Sequence, residues 1–388
     1  MTVTSPLVPT HSGLPANEVS RRSRLCLVPE LGLDGLRRLQ HARVLVIGAR
    51  GIGATALEHL ARTGVGTLGV IDDEFLAEWD LPWQGVHRPN GVGARIAESA
   101  RVEIMAINTA VSIVTHDEPL RSANALAVLG GYDLVIEAAG DFSTRYLVSD
   151  ACALLGIPHV WGSAYRFEGY AGVGWAPHGP TYRHLYPQPP AGPGSISSCG
   201  VGGIVGSVCA TIGSLLATET IKLVTGAGKP LVGRYLVHDG LAMTFRTLQI
   251  PWDPEGDGVT KLSDYCGYGR PLSPEVLAAV DGSTITAWDL KSMMHTAEVF
   301  CLVDVREPNE AAIVSIPGSV LIPTSEFLAG RGFARLPRDK PIVLYCKVGV
   351  RSAQVLSLLK NQGFADAVHL GGGIIEWVDY VDPEMPEY

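Results

Sequence analysis

The stretch "PIVLYCKVGVRSAQVLSLL" (341–359) sets out a recognisable piece of chemistry. An apolar strand ends at Cys346, a short loop follows, and a helix is expected to begin at Arg351 or Ser352. A sulfur atom at such a strand end faces backbone N–H groups and the positive end of a helix, and both favour an anionic sulfur, thiolate or persulfide. Gly349 lets the loop curl, and Arg351 adds positive charge. Only Lys347, Val348, Gly349 and Val350 separate Cys346 from Arg351. A phosphatase loop has one residue more, and the smaller ring suits sulfur better than phosphate. A structural cysteine at a strand end is the plain alternative, and the strand–Cys–loop–Arg–helix order argues against it.

A second constellation lies near the N-terminus. "RVLVIGARGIGATALEHLAR" reads as an apolar strand, a glycine loop with Gly48, Gly51 and Gly53, and a helix near 52–63. Asp72 closes the next apolar run. That is a phosphate-and-ribose signature, in which amides and a helix N-terminus cradle phosphate and an acidic side chain holds the ribose. Arg50 stands among the glycines, able either to touch a phosphate or to fill the phosphate pocket itself.

The elements that must position these residues follow from the pattern. Over 43–140 short apolar runs alternate with helical periodicity, including a helix near 92–106, which predicts βαβ units and a parallel sheet with helices on both faces. "HVWGSAYRFEGYAGVGWAP" (159–177) predicts antiparallel strands, as do "GRYLVHDG" and "AMTFRTLQI" further on. Gly200–Thr218 carries no charge and is dense in Gly, Ala and Ser. We read it as a buried helix at a packed or oligomeric interface rather than a membrane span. A second α/β pattern occupies the last hundred residues. The expected organisation is therefore a flexible arm (1–20), a Rossmann-like mixed or parallel sheet domain (21–249), a polar linker (250–283) and a small α/β domain (284–388).

The chain has 388 residues, 46% apolar and 18% charged, with a net charge of −9. It can bury large cores, and an acidic chain is a poor nucleic-acid binder. Its seven cysteines are scattered without a C-x-x-C pair, so neither a disulfide framework nor a zinc site is expected, and a reducing cytoplasm fits best. No secretory signal is visible at the N-terminus.

With "DVREPNE" upstream and "HLGGGIIEW" downstream, residues 284–388 resemble a rhodanese domain. The resemblance implies that Cys346 carries a persulfide and passes on its terminal sulfur. Asp304 and Arg306 are expected to form a structural pair, and Ser315 stands where the family often has histidine. "SRLCLVPELGLDGLRRLQHARVLVIGARGIG", "TRYLVSDACALLGIPHVWGSAYRFEG" and the cysteine in "SSCGVGG" resemble the ThiF/MoeB family of ubiquitin-activating-type adenylating enzymes. The resemblance implies ATP with Mg2+, a small ubiquitin-like sulfur-carrier protein ending in Gly-Gly, and conversion of its C-terminus to a thiocarboxylate. It also implies a sulfur donor such as a cysteine desulfurase or thiosulfate. It implies a homodimer in which Arg24 reaches the partner subunit's site, a resolving or holding role for Cys199, and nucleotide binding by Gly48, Gly51, Gly53, Asp72, Arg24 and Gln84.

Several positions depart from that family pattern. Arg50 replaces a glycine, Asp80 an asparagine, Trp83 an arginine and Ile96 a lysine, and Gly140 stands where a metal-binding aspartate belongs. Each lost charge-assisted hydrogen bond to phosphate is worth about 1.5–3 kcal/mol. A one-residue slip to Arg95 is a poor rescue, because one helical residue turns the side chain by about 100°. Asp141 is the corresponding candidate beside Gly140. The losses predict a nucleotide fold without ordinary Mg·ATP adenylation. Three functions stay open: a sulfurtransferase that activates its carrier, a sulfur-relay protein that only binds the carrier, and a dinucleotide-dependent oxidoreductase using Asp72.

Overall fold

The structure is a computed structural model; it describes residues 5–83, 85–188, 203–253, 259–265, 282–296 and 299–386. Cys199 and Gln84 lie outside these residues. Among them the chain forms two compact units, one running to Tyr265 and one beyond it.

The first unit is built on an eight-stranded sheet. Its strands are β1 (Arg43–Ile47), β2 (Thr67–Ile71), β3 (Ser112–His116), β4 (Leu134–Glu137), β5 (His159–Tyr165), β6 (Glu168–Gly174), β7 (Arg234–Asp239) and β8 (Thr244–Gln249). The order is β3-β2-β1-β4-β5-β6-β7-β8. From β3 to β5 neighbours are parallel, and from β5 to β8 antiparallel. The change of pattern at residue 159 therefore marks a real change of sheet type. β1 and β4 are apolar and buried along almost their whole length because helices cover both faces.

The glycine loop leads into the helix Gly51–Thr63. Gly53 has no room for a side chain, since a methyl there would collide with the Gly48 carbonyl. The next predicted helix is Ile96–Ile107. The uncharged stretch becomes the helix Gly206–Thr225, long and apolar enough to cross a membrane but 61% buried within the fold over its most apolar window. It packs on the helix Gly51–Thr63 and on β5 and β6. Its later charges are used internally, since buried Glu219 accepts from the Leu231 N–H (2.7 Å) and pairs with Lys222.

Two expected boundaries need correction. The described part of the N-terminal arm is not free: Leu7 and Val8 donate to the Leu223 and Val224 carbonyls (3.0 and 3.5 Å), and Ala16–Arg21 is helical. Part of the expected linker belongs to the first unit. Asp264 accepts from the Ser122 N–H and hydroxyl (2.7 Å each), and the Tyr265 hydroxyl donates to Asp150 (2.5 Å). Arg183 clamps the same Asp150 (2.6 and 2.9 Å) and lies over the Tyr146 and Tyr265 rings.

The second unit is a parallel five-stranded sheet made of β9 (Thr284–Ile285), β10 (Cys301–Asp304), β11 (Val320–Leu321), β12 (Ile342–Tyr345) and β13 (Val368–Leu370), in the order β11-β10-β12-β13-β9. The helix Val350–Asn361 packs on β12 and β13.

Candidate functional site

β12 delivers Cys346 at its C-terminal end, and the helix that follows starts at Val350, one residue earlier than the sequence suggested. Gly349 makes the turn with φ +87°, and a methyl group there would collide with the Gly371 carbonyl, so only glycine closes this loop. The Gly349 N–H donates to Cys346 Sγ (3.1 Å), and the Ser352 hydroxyl lies 3.6 Å from the same sulfur. The "GGG" stretch fastens the loop from behind: the Ile374 and Ile375 N–H groups donate to the Cys346 and Lys347 carbonyls (2.8 and 3.2 Å). Cys346 itself is 1% exposed. The resting sulfur is thus covered.

Arg351 does not simply point its charge at the sulfur. Its two Nη atoms hold both oxygens of Glu310 (2.6 and 2.7 Å). Burial opposes ionisation of Glu310, but Arg351 outweighs it and holds the carboxyl below its usual range. Asp304 and Arg306 are the structural pair expected of them. Both are buried, the guanidinium grips the carboxylate (2.6–3.1 Å) and the Val314 carbonyl (2.7 Å), and it lies over the Tyr345 ring. Ser315, at the family's histidine position, only caps the Ala311 carbonyl (2.7 Å).

The sequence reading did not reach the polar chain behind the sulfur. Ser352 Oγ lies 3.1 Å from His369 Nδ1, and His369 Nε2 lies 3.0 Å from the Thr284 hydroxyl. Burial pushes the His369 pKa down to about 4, so this imidazole is neutral at pH 7. The only signal was "RS" after the loop and "HL" before the glycines, and neither shows that the two meet.

In the first unit the glycine loop keeps its cradle shape. The Asp72 carboxylate accepts from the Ala49 N–H (2.9 Å). Buried His87 braces the loop from the other side, donating from Nε2 to the Ala49 carbonyl and accepting at Nδ1 from the Ser99 hydroxyl (2.8 Å each). Burial lowers the His87 pKa, which agrees with that neutral tautomer.

The departures meet at this cradle. Arg50 extends to Glu74 (2.7 Å) and to buried Asp80 (3.5 Å). Burial works against its charge, but Asp72, Glu74 and Asp80 together more than offset that and raise its pKa. Asp80 also accepts from the Ala77 N–H (3.0 Å). Trp83 lies against the first turns of two helices. A methyl on Gly51 would come within 2.8 Å of its ring, and one on Gly206 within 3.0 Å of its Cα. Ile96 is fully buried. Neither one-residue rescue operates. Arg95 stacks on the Phe75 ring and donates to the Asp73 carbonyl (3.4 Å), and Asp141 caps its own helix through the Thr144 N–H (2.8 Å). Arg24 is exposed at the end of the short helix Ser23–Cys26, and Gly140 is exposed beside Asp141. A guanidinium already held by Glu74 and Asp80, an indole over the helix start and a buried Ile96 in place of a lysine are a poor fit for a triphosphate.

The ThiF family matches residues 22–257, and the rhodanese-like domain matches residues 286–380. The chain belongs to the ThiF family and carries a C-terminal rhodanese-like domain: it is an enzyme of the class that joins these two modules. A Mycobacterium tuberculosis (strain CDC 1551 / Oshkosh) protein described as "Probable adenylyltransferase/sulfurtransferase MoeZ" is 46% identical over 387 residues, covering 99% of this chain and 98% of that one. "Adenylyltransferase and sulfurtransferase MOCS3" of Aedes aegypti is 34% identical, covering 96% and 89%. Solved structures share the fold: PaaA, with TM-score 0.54 and 19% identity over 62% of this chain and 86% of that one, and E. coli MccB with ATP, with TM-score 0.52 and 15% identity over 63% and 81%. The ThiF match accounts for the glycine loop without a dinucleotide, which leaves the oxidoreductase reading without support.

Proposed function

We propose that this chain transfers sulfur to the C-terminal glycine carboxyl group of a small ubiquitin-like carrier protein ending in Gly-Gly, with Cys346 holding the sulfur as a persulfide. The observation that carries this reading is the seat of Cys346 Sγ, at a strand end, with the Gly349 N–H at 3.1 Å and the Ser352 hydroxyl at 3.6 Å. The Gly349 N–H favours an anionic sulfur at this seat over a neutral one. The printed names of the relatives from Mycobacterium tuberculosis and Aedes aegypti support the same pairing of activities.

The step is a substitution at an acyl carbon. The terminal sulfur of the persulfide attacks the activated carbonyl, a C–S bond forms, and the leaving group departs with its electron pair. The product is an acyl disulfide. A thiol then attacks the Cys346 sulfur and releases the carrier thiocarboxylate, leaving a disulfide that a reducing dithiol reopens. The family resemblance assigns the attacking thiol to Cys199. Thiosulfate or a cysteine desulfurase loads the sulfur at the start. The chain acts as a homodimer in the cytoplasm, with exposed Arg24 offered to the partner subunit. ATP is the cosubstrate that the family implies, but the cradle residues do not fit it, and no step here runs through it.

The test is a pull-down for a small partner ending in Gly-Gly, followed by intact mass. A gain of one sulfur in place of one oxygen on the partner, lost in Cys346→Ser, supports the reading. A partner supplied as its acyl-adenylate or thioester that stays unchanged in the presence of sulfur-loaded protein contradicts it.

A further inference from the structure

The cradle invites a question that the sulfur chemistry leaves open: where does the activated carboxyl group come from? A free carboxylate has no leaving group for the persulfide to displace, so activation must happen somewhere. In a cradle built for Mg·ATP, backbone amides and cations face the phosphates. Here the cation is part of the chain itself. Arg50 stands at the position just before the helix Gly51–Thr63, and its guanidinium is held by Glu74 at 2.7 Å and Asp80 at 3.5 Å. Two departures of opposite charge, thirty residues apart, have become each other's partners. Asp80 is 1% exposed, and among the described residues it is bonded to this guanidinium and to the Ala77 N–H. An entering triphosphate would have to displace Arg50 from its carboxylates and then lie beside them. It would also have to move the Trp83 indole off Gly51.

We propose that the phosphate cradle is filled from within by Arg50, and that the chain therefore consumes a carrier already activated by a separate ATP-dependent acyl-activating enzyme, as an acyl-adenylate or a thioester. This rests on the proposed sulfur transfer and says which reaction must precede it. Atoms balance without a further reactant. The persulfide sulfur forms the C–S bond, and the adenylate C–O bond or thioester C–S bond breaks as the leaving group takes the electron pair. The first unit then serves to hold the carrier, and its Rossmann-like sheet is a scaffold rather than an ATP site. The relatives' names carry both activities; this chain keeps one.

The experiment titrates the full-length protein with Mg·ATP alone by calorimetry, in the wild type and in the double variant Arg50→Gly/Asp80→Asn. The double change removes both charges together, so neither is left buried and unpaired. The wild type is expected to show no saturation up to millimolar Mg·ATP, and the double variant to bind at least tenfold more tightly than the wild type. Micromolar binding by the wild type overturns the proposal, and so does a folded double variant that gains nothing. Should the double variant not fold, the wild-type titration still decides. Thiosulfate loading of Cys346 is measured on the same preparation. A protein that loads sulfur and binds Mg·ATP refutes only this inference, whereas one that fails to load sulfur refutes the sulfur-transfer reading beneath it.

Discussion

Arg50 and Asp80 lie thirty residues apart in the chain and 3.5 Å apart in the structure, guanidinium against a carboxylate that is almost wholly buried. Each alone looks like damage to a nucleotide site. Together they form an ion pair.

That pairing predicts coupling. Arg50→Gly leaves Asp80 buried with one donor fewer, and should cost about 1–3 kcal/mol of stability. The double variant with Asp80→Asn should cost less than the sum of the single changes, by about 0.5–3 kcal/mol. Urea denaturation of the four proteins measures the cycle, and strict additivity would show that the contact carries no energy.

Glu310 predicts an acid-sensitive brace at the sulfur loop. Arg351 holds its carboxyl below the ordinary value of 4.5, although burial acts in the opposite direction. A carboxyl depressed on folding contributes stability that is complete above about pH 4.5 and is lost as the pH falls through the depressed value. Glu310→Gln should flatten that acid limb and leave Arg351 with one acceptor in place of two. Sulfur transfer should fall together with the loss of loop order, read by hydrogen exchange over 346–352. An unchanged acid limb would mean that the pair is idle.

His369 predicts a second pH window, nearer neutrality. Its folded pKa, about 4, lies below the ordinary 6.5 because it is buried. The unfolded chain therefore takes up the proton first. Stability is complete above pH 6.5 and falls between pH 6.5 and 4, by up to about 3 kcal/mol. His369→Asn should remove most of this slope, measured by hydrogen exchange in β12 and β13. Because Ser352 loses its imidazole partner and sits 3.6 Å from Cys346 Sγ, the same change should also alter the pH profile of sulfur loading.

Asp304 predicts a large structural cost with no chemistry of its own. Arg306 is fully buried, and removing its carboxylate strands the charge. Asp304→Ala should destabilise the second unit by about 3–5 kcal/mol. Partial retention of sulfur transfer by the folded fraction is expected, since the hydrogen bonds to Cys346 Sγ come from Gly349 and Ser352. Full loss of transfer in protein that remains folded would give the pair a direct role instead.

Much of this was readable from the sequence, for physical reasons. The unalternating apolar strands, the glycine loop before a helix and the switch to glycine-broken strands near 159 each have one inexpensive structural solution, and the structure adopts it. Cys346 was legible because strand, loop and helix are contiguous. Partners distant in sequence were not. Nothing local tells Arg351 that Glu310 will hold it, or Ser352 that His369 stands behind it, and nothing in a polar linker announces that Tyr265 will join Asp150 and Arg183. The Arg50–Asp80 pair did leave a trace: two departures of opposite sign in one site. The burial of Cys346 was not foreseen either, because the loop is fastened by residues 371–375, which are distant in sequence.

The central claim is that Cys346 accepts and holds sulfur. Its most direct measurement is the intact mass of the full-length protein after incubation with thiosulfate and removal of the excess. The account predicts a gain of one sulfur atom, reversed by a reducing thiol and absent in Cys346→Ser. No gain in the wild type, or the same gain in Cys346→Ser, would contradict it.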